Sequence, residues 1–160
     1  MTCDLLIVGA GPAGMAAAVM ARQAGLSVVL TDENPAPGGQ VYRAVLAGPL
    51  AQSDLLGEDY GAGRALAEAF TASGTAYRPL TTVFMIEAMD TGGFTVGLAT
   101  QQQVQMVAAR HVLVATGALE RPFPIPGWTL PGVMTAGAAQ TLLKSGAIVP
   151  EGPTVLAGSG

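Results

Sequence analysis

Apolar and polar positions in the first half of the chain alternate between short buried runs and helical stretches. The uncharged apolar runs 5–8 and 27–31 are each long enough for one buried parallel strand. The alanine-rich stretch 12–24 between them predicts a helix. An apolar helical face over 61–73 and a short strand over 75–80 repeat the same order. This pattern predicts an α/β fold in which a parallel sheet carries helices on both faces.

The periodicity changes after residue 80. Three short strand-like runs, 82–88, 94–99 and 104–109, are separated by stretches of turn residues. Closely spaced strands with tight turns are antiparallel, because parallel neighbours need a long crossover connection. We therefore expect a three-stranded antiparallel β-meander inserted in the parallel fold, followed by a separate apolar strand over 111–115.

The first apolar run ends in the sequence G-A-G-P-A-G, whose glycines have the G-x-G-x-x-G spacing. Gly9 allows a tight turn off the strand, and Gly11 has no side chain to keep a pyrophosphate from the backbone. Gly14 lets the next helix pack closely against the strand. Pro12 suits the first helical turn, where a missing N–H costs nothing. The turn predicts a dinucleotide pyrophosphate site formed by Gly9, Gly11, Pro12, Ala13 and Gly14.

The second apolar run ends in the acidic pair Asp32 and Glu33. An acid about 20 residues beyond the glycines accepts hydrogen bonds from the ribose hydroxyl groups of a dinucleotide. Strand, glycine turn, helix, strand and acid follow in the required order. A signal peptide is disfavoured because no basic residue precedes the uncharged run. A membrane span is disfavoured by the small and helix-breaking residues in the centre of that run.

The segment 34–60 has no clear periodicity, and its first residues, N-P-A-P-G-G-Q, are dense in turn formers. This loop follows the strand end at which ligands bind in sheets of this kind. We therefore expect the backbone at Gly38 and Gly39 to lie beside the cofactor and Gln40 to supply a polar contact. An ordinary connection between a strand and a helix is the alternative.

Composition excludes several classes of function. The chain has 160 residues, 50% of them hydrophobic and 11% charged, with a net charge of −4 and one lysine, Lys144. The length suffices for one domain's hydrophobic core, the composition indicates a buried sheet, and there is no cationic surface for nucleic acid. Cys3 is the only cysteine, which excludes a disulfide, a C-x-x-C pair or a cysteine-ligated metal within the chain and fits a cytoplasmic location. His111, the only histidine, is interpreted as structural. No metal is expected, and the catalytic residues stay unassigned.

Two further stretches carry a family resemblance. A strand that runs into Ala115-Thr116-Gly117 after a meander resembles flavoproteins with two dinucleotide-binding domains, in which the first domain holds FAD. The string E-R-P-F-P-I-P-G-W-T-L-P-G-V-M-T-A-G-A-A-Q-T-L-L-K resembles the flavin-binding subunits of opine oxidases, of proline and hydroxyproline dehydrogenases and of hydrogen cyanide synthase. The resemblance implies a Rossmann-like FAD-binding domain with cofactor contacts at Val83, Ala115, Thr116 and Gly117.

The resemblance also implies a division of the chain. Residues 1–118 are expected to form an FAD-binding domain that lacks its C-terminal return segment, and residues 119–150 a Pro/Gly-rich linker and a helix capped by Thr135. Residues 151–160 would begin a second dinucleotide-binding domain, with a strand over 154–157 and half of a second glycine motif. NAD(P) is the expected ligand of that second domain. An N-terminal fragment of a longer protein is therefore expected.

The function implied by the resemblance is that of an FAD-dependent oxidoreductase. The chain would be the flavin-binding part of an amine or amino-acid dehydrogenase of the opine or proline type, with electrons passing through FAD and a partner subunit in a hetero-oligomer. The fragment alone is expected to be inactive. The alternatives are an NAD(P)H-dependent reductase of the thioredoxin-reductase or ferredoxin-reductase type without a redox cysteine pair, and a non-catalytic nucleotide-binding or electron-transfer subunit.

Overall fold

The computed structural model describes residues 2–158 of the chain. Six strands form one sheet, and three α-helices and one 3₁₀ turn at Asp54–Leu56 complete the regular structure of this region. The strands are β1 Thr2–Val8, β2 Val28–Thr31, β3 Ala76–Arg78, β4 Thr82–Ala88, β5 Phe94–Ala99 and β6 Val104–Val114. The helices are α1 Pro12–Gln23, α2 Glu58–Ala72 and α3 Ala136–Gly146.

The strand order across the sheet is β3-β2-β1-β6-β5-β4. β1 pairs in parallel with β2 and β6, and β2 pairs in parallel with β3. β4, β5 and β6 pair antiparallel. The predicted α/β fold, a parallel sheet joined to an antiparallel meander, is therefore confirmed.

Successive residues of β1 point to opposite faces of the sheet and enter two separate cores. Ile7 joins Met15 of α1 and Phe70 of α2 in one cluster. Leu6 joins the other cluster together with Cys3 of the same strand, and the other buried members come from β2 and the meander strands, including Val96. Helices α1 and α2 thus share one face, whereas we expected helices on both. The meander strands supply the core partners on the second face within the described part of the chain.

The predicted break between the meander and the last parallel strand is wrong, because β6 is continuous from Val104 to Val114. Its first half pairs antiparallel with β5 as far as the pair Phe94–Ala109. Its second half pairs in parallel with β1, where His111 lies opposite Leu5. No glycine, proline or other turn former stands between Ala109 and His111, so nothing in the backbone ends the strand. His111 is exposed on this strand.

The helix predicted over 61–73 begins earlier than expected, and α3 ends at an unusual residue. α2 begins at Glu58, because Gly57 (φ +79°) makes the turn into it and acidic residues in a first turn are favourable. α3 continues through Gly146 and ends at Ala147, which takes the left-handed conformation (φ +53°) expected of a glycine. The predicted N-cap is confirmed: the hydroxyl of Thr135 accepts a hydrogen bond from the backbone N–H of Ala138.

The strand predicted over residues 154–157 does not form, because these residues have no regular secondary structure. Val155 and Leu156 are 89% and 92% exposed. An apolar run forms a strand only when a neighbouring strand satisfies its backbone groups, and no described strand lies beside this one. Ser159 and Gly160 lie outside the described residues. The division of the chain into domains and the second glycine motif therefore stay predictions.

The carboxylate of Asp4 fastens the start of β1 to the residue before β2. It accepts hydrogen bonds from the hydroxyl of Ser27 at 2.6 Å and from its backbone N–H at 2.9 Å. Arg110 of β6 lies 3.3 Å away. These bonds, first the Ser27 hydroxyl, then the Ser27 backbone and then Arg110, lower the pKa of Asp4 to about 2.

We expect Asp4→Asn to lower the free energy of unfolding near neutral pH and to cost less as the solution becomes acidic. The folded-state pKa of about 2 lies below the ordinary value of 3.8. The stabilisation is therefore fully present above the unfolded-state value and is lost as the pH falls through about 2. Denaturant unfolding of both proteins across this range tests it, with Asp90→Asn in the exposed β4–β5 turn as the matched control. An equal cost of Asp4→Asn at pH 7 and pH 2 would contradict the expectation.

Candidate functional site

The candidate site lies at the carboxyl ends of the parallel strands. β1 ends at Val8 and runs into Gly9, β2 ends at Thr31, and β6 ends at Val114, two residues before Thr116. Ligands of open α/β sheets bind in the crevice beyond these strand ends. The three connections that leave the strands therefore form the walls of the site.

The turn after β1 requires glycine at two positions for internal reasons. Gly9 has φ +106°, and a side chain there would overlap the carbonyl of Ala115 beyond the end of β6. Its N–H donates to the carbonyl of Thr31 at 2.8 Å. A side chain on Gly14 would overlap the carbonyl of Gly9, so α1 packs directly against the turn. These contacts confirm the predicted geometry of both glycines.

Gly11 is a glycine for a different reason. Its backbone is extended (φ −73°, ψ −178°), a conformation that any residue adopts. A Cβ atom built on Gly11 would have no protein atom within 4 Å. Nothing in the protein itself therefore demands glycine at this position. A ligand that approaches the backbone of Gly11 through this open space would require that the residue have no side chain.

The N-terminus of α1 points its unsatisfied N–H groups at the same turn. Gly11 is the N-cap residue and supplies no side-chain hydrogen bond, Pro12 occupies the first turn, and no acidic residue lies in that turn. The N–H groups of a first turn need an acceptor, and the helix dipole favours an anion there. A pyrophosphate fits this arrangement.

The loop after β2 packs on the glycine turn. The N–H of Gly38 donates to the carbonyl of Ala10 at 2.8 Å. A Cβ atom on Gly39 would lie 2.9 Å from the Cα of Gly11. Gly38 and Gly39 have φ values of +129° and +60°, so both occupy conformations that favour glycine. The backbone of this loop therefore forms a second wall beside Gly11.

Gln40 hydrogen-bonds to a residue of its own segment and to α3. Its side-chain oxygen accepts hydrogen bonds at 3.3 Å from Arg43 Nε and from Thr141 Oγ1 of α3. The predicted polar contact of Gln40 with the cofactor thus stays a prediction, and the structure assigns its amide to the linker helix.

Asp32 is fixed by three N–H groups. One carboxylate oxygen accepts from the backbone N–H of Ala10 at 2.6 Å. The other accepts from the backbone N–H of Asn34 at 2.7 Å and from its side-chain amide at 2.8 Å. Asp32 is half-buried, whereas Glu33 is exposed. The first acid after β2 is thus tied to the glycine turn, and its contact with a ribose hydroxyl stays a prediction.

A cavity of about 310 Å³ opens between these walls. Its volume lies at the lower end of the range of about 300–1,000 Å³ for small-molecule sites. One buried oxygen of its lining, Thr31 Oγ1, has no hydrogen-bond partner among the described residues. The cavity is lined by Val8, Gly9, Thr31, Asp32, Glu33, Asn34, Thr81, Val83 and Thr116.

The structure brings most of the predicted site residues together. The predicted residues in the cavity lining are Gly9, Asp32, Glu33, Val83 and Thr116. Those that meet at the glycine turn are Gly11, Pro12, Gly14, Gly39 and Ala115. Ala13 and Gly117 are exposed beside the site without lining it. Their contacts with a cofactor stay predictions.

Sequence reasoning missed four residues of the cavity wall, Val8, Thr31, Asn34 and Thr81. The position of Asn34 could have been predicted, because an aspartate side chain commonly accepts a hydrogen bond from the backbone N–H two residues later. The sequence pattern identified Thr31 only as the last residue of a buried strand. Thr81, whose N–H donates to the carbonyl of Asp32 at 2.9 Å, has no local signal because β3 brings it there.

Neither a metal cluster nor a spanning helix occurs within residues 2–158. No group of three or more His, Cys, Asp or Glu side chains in this region could hold a metal ion. None of its helices is both long and apolar enough to cross a bilayer.

The chain matches a known family over most of its length. The family model described as "Pyridine nucleotide-disulphide oxidoreductase" matches residues 3–149. The chain belongs to this family. With the open glycine turn, the uncapped N-terminus of α1 and the acid after β2, membership identifies the region as a Rossmann-like FAD-binding domain.

Individual relatives narrow the comparison. The chain is 51% identical over 161 residues to an opine oxidase subunit of Agrobacterium tumefaciens (strain Ach5), covering 98% of this chain and 32% of the relative. It is 37% identical over 160 residues to the HcnB subunit of hydrogen cyanide synthase from Pseudomonas protegens, covering 100% of this chain and 34% of the relative. The chain thus spans about a third of the length of these curated relatives.

The fold has solved counterparts. The crystal structure of L-proline dehydrogenase from P. horikoshii superposes with a TM-score of 0.72 over 90% of this chain and 28% of that chain, at 22% sequence identity. At this identity the likeness carries the fold alone.

We expect Gly11→Val to abolish FAD retention while leaving the domain folded. The extended backbone at Gly11 tolerates a side chain, and the added methyl groups would enter only the open space in front of α1. The flavin absorbance of the purified complete gene product measures retention, and thermal unfolding of the cofactor-free protein measures the fold.

Gly14→Val is the matched control for this experiment. Its side chain would overlap the carbonyl of Gly9, so the variant should lose stability as well as FAD. Unchanged flavin content in Gly11→Val, or equal destabilisation by the two variants, would contradict the assignment of Gly11 to the pyrophosphate.

We expect Asp32→Ala to weaken FAD binding by about 1–3 kcal/mol, the scale for losing a hydrogen bond to a charged group. Glu33→Ala should have the smaller effect, because Glu33 is exposed and makes none of the bonds that fix Asp32. Titration of the cofactor-free variants with FAD gives both affinities. A larger loss in Glu33→Ala would reverse the assignment.

Proposed function

We propose that the protein to which this chain belongs is an FAD-dependent oxidoreductase that oxidises an amine or amino acid of the opine or proline type. The chain would be its flavin-binding part. The observation that carries this proposal is the 51% identity, over 98% of this chain, to a protein named as part of an opine oxidase. The open Gly11 and the uncapped α1 support it from the structure.

The described residues bind and orient the cofactor in this proposal. The first-turn N–H groups of α1 hold the pyrophosphate, and the carboxylate of Asp32 accepts from a ribose hydroxyl. The cavity beyond β1 and β2 takes the adenosine end, with Thr31 Oγ1 as an additional polar group in its wall. When bound, FAD supplies the electron-accepting chemistry.

The substrate-binding and catalytic groups would come from elsewhere in the protein or from a partner. The cavity lining holds two carboxylates, and Asp32 is already committed to three N–H groups. Both relatives described above are named as subunits, which supports a hetero-oligomer with a partner that contributes to the substrate site. An NAD(P) site on a second domain is a further part of the proposal.

The state of Cys3 disfavours disulfide-reductase chemistry by this chain and leaves the reductase alternative, which has no redox cysteine pair, open. Cys3 is 4% exposed in β1, and burial, followed by the charge of Asp4, raises the pKa of its thiol. A buried thiol with a raised pKa reacts slowly, and the chain carries no second cysteine to pair with it. The free thiol also supports a reducing location, and we propose the cytoplasm.

The C-terminal half of β6, residues 110–114, indicates how the 160-residue chain would behave by itself. Beyond the pair Phe94–Ala109, residues 110–114 bond to β1 on one side and have no described strand on the other. Leu113 and Val114 are 37% and 62% exposed there. An unpaired apolar edge of a sheet promotes association between chains.

We therefore expect the 160-residue chain to retain FAD poorly, to associate and to show no turnover. The complete gene product, with its partner subunit, should be yellow and should reduce a dye in the presence of an opine or proline. The experiment compares flavin content and dye reduction of the two proteins, with NADH as a second reductant. Bleaching by NADH and by no amine would favour the reductase alternative, and absence of flavin from the complete protein would contradict the proposal.

A further inference from the structure

The linker helix α3 is fastened at its N-terminus to the segment that leaves β6. The carboxylate of Glu120, three residues after Gly117, accepts a hydrogen bond at 2.8 Å from the backbone N–H of Gly137 in the first turn of α3. The hydroxyl of Thr135 accepts from Ala138 in the same turn. A carboxylate at a helix N-terminus satisfies free N–H groups and complements the helix dipole.

The C-terminal half of α3 is fastened to the loop after β2. Lys144 Nζ donates to the carbonyl of Gln40 at 3.1 Å and to the carbonyl of Val41 at 3.0 Å. Thr141 Oγ1 donates to the side-chain oxygen of Gln40 at 3.3 Å. The ammonium group also lies 5.7 Å from the centre of the Tyr60 ring, within the range of a cation–π contact.

One of the two carbonyls bound by Lys144 belongs to Gln40, which follows the glycine that packs on the glycine turn. Gly39, which precedes Gln40, lies against Gly11, and the N–H of Gly38 donates to Ala10. Gly38 and Gly39 both have positive φ values and belong to no helix or strand. Glycines sample more conformations than other residues when they are not held, so the position of this loop depends on its anchors.

Two backbone–backbone hydrogen bonds also hold this loop. The N–H of Gly38 holds one end, and the N–H of Tyr42 donates to the carbonyl of Gly38 at 3.0 Å within the loop. Between these bonds, the carbonyls of Gln40 and Val41 are bound by Lys144. Two of the three ammonium hydrogens are therefore committed to the backbone of this loop.

We propose that Lys144 is a positioning residue for the cofactor site. It holds the 38–41 loop against Gly11, so that α3 acts as a strut between the loop after β2 and the segment after β6. Docking of the linker helix and retention of FAD at the glycine turn are thereby coupled. The inference rests on the proposed function, in that it takes FAD to be the ligand of this turn.

Hydrogen exchange of the cofactor-free complete gene product tests the positioning role without the flavin. Lys144→Met keeps the length of the side chain and a good helix former but removes all donors. We expect the amides of Gly38 and Tyr42 to exchange about tenfold faster in this variant, the scale for a lost hydrogen bond to a charged group. FAD should also dissociate about tenfold faster.

Three further variants sharpen the experiment. Lys144→Arg restores donors of the same charge and should return exchange and dissociation towards the wild-type values. Ser145→Ala, at the exposed next residue of α3, is the matched control and should change neither. Glu120→Ala touches only the far end of the strut and should also speed the exchange of Gly38.

The outcomes separate the two proposals. Unchanged exchange of Gly38 and Tyr42 in Lys144→Met, or failure of Lys144→Arg to restore it, would overturn the positioning role whatever the ligand. Wild-type exchange in Glu120→Ala would overturn the strut. A wild-type protein that binds no FAD would contradict the proposed function, while the exchange data would still decide the role of Lys144.

Discussion

The structure depends on a close approach of backbone segments at the end of β1. Gly9 lies against the carbonyl of Ala115, Gly14 lies against Gly9, and Gly39 lies against Gly11. These contacts bring the connections that leave β1, β2 and β6 to one point. The walls of the site are consequently built from main chain, whose N–H and C=O groups have fixed positions. A side chain at Gly9 or Gly14 would separate these segments, whereas one at Gly11 would not.

Asp32 shows how one group can shape the site and still recognise a ligand. Its carboxylate joins the end of β2 to Ala10 of the glycine turn and to Asn34 of the next loop. A carboxylate has about four acceptor positions, and three N–H groups occupy most of them. The proposed ribose hydroxyl would be a further donor to a group that is already ordered. Little conformational entropy would then be lost when the ligand binds.

The sequence predicted those parts of the fold that have local signals. β4 and β5 occupy the predicted ranges 82–88 and 94–99, because turn formers stand at their ends. β6 was divided wrongly because its length depends on two partners, β5 for one half and β1 for the other. The prediction of a strand over 154–157 was wrong for the opposite reason, since this apolar run has no described strand to pair with. Strand existence is thus partly a tertiary property.

The same distinction separates the predictable and unpredictable parts of the site. The spacing of Gly9, Gly11 and Gly14 lies within six residues of sequence, and the structure confirms the close packing expected at Gly9 and Gly14 and leaves open space at Gly11. The bonds that join Gln40 to Thr141 and Lys144 span 101 and 104 residues, and no local pattern encodes them. Only the folded chain places α3 beside the loop. Two kinds of sequence feature therefore form the site. A local motif makes the glycine turn, and distant side chains hold the 38–41 loop beside it.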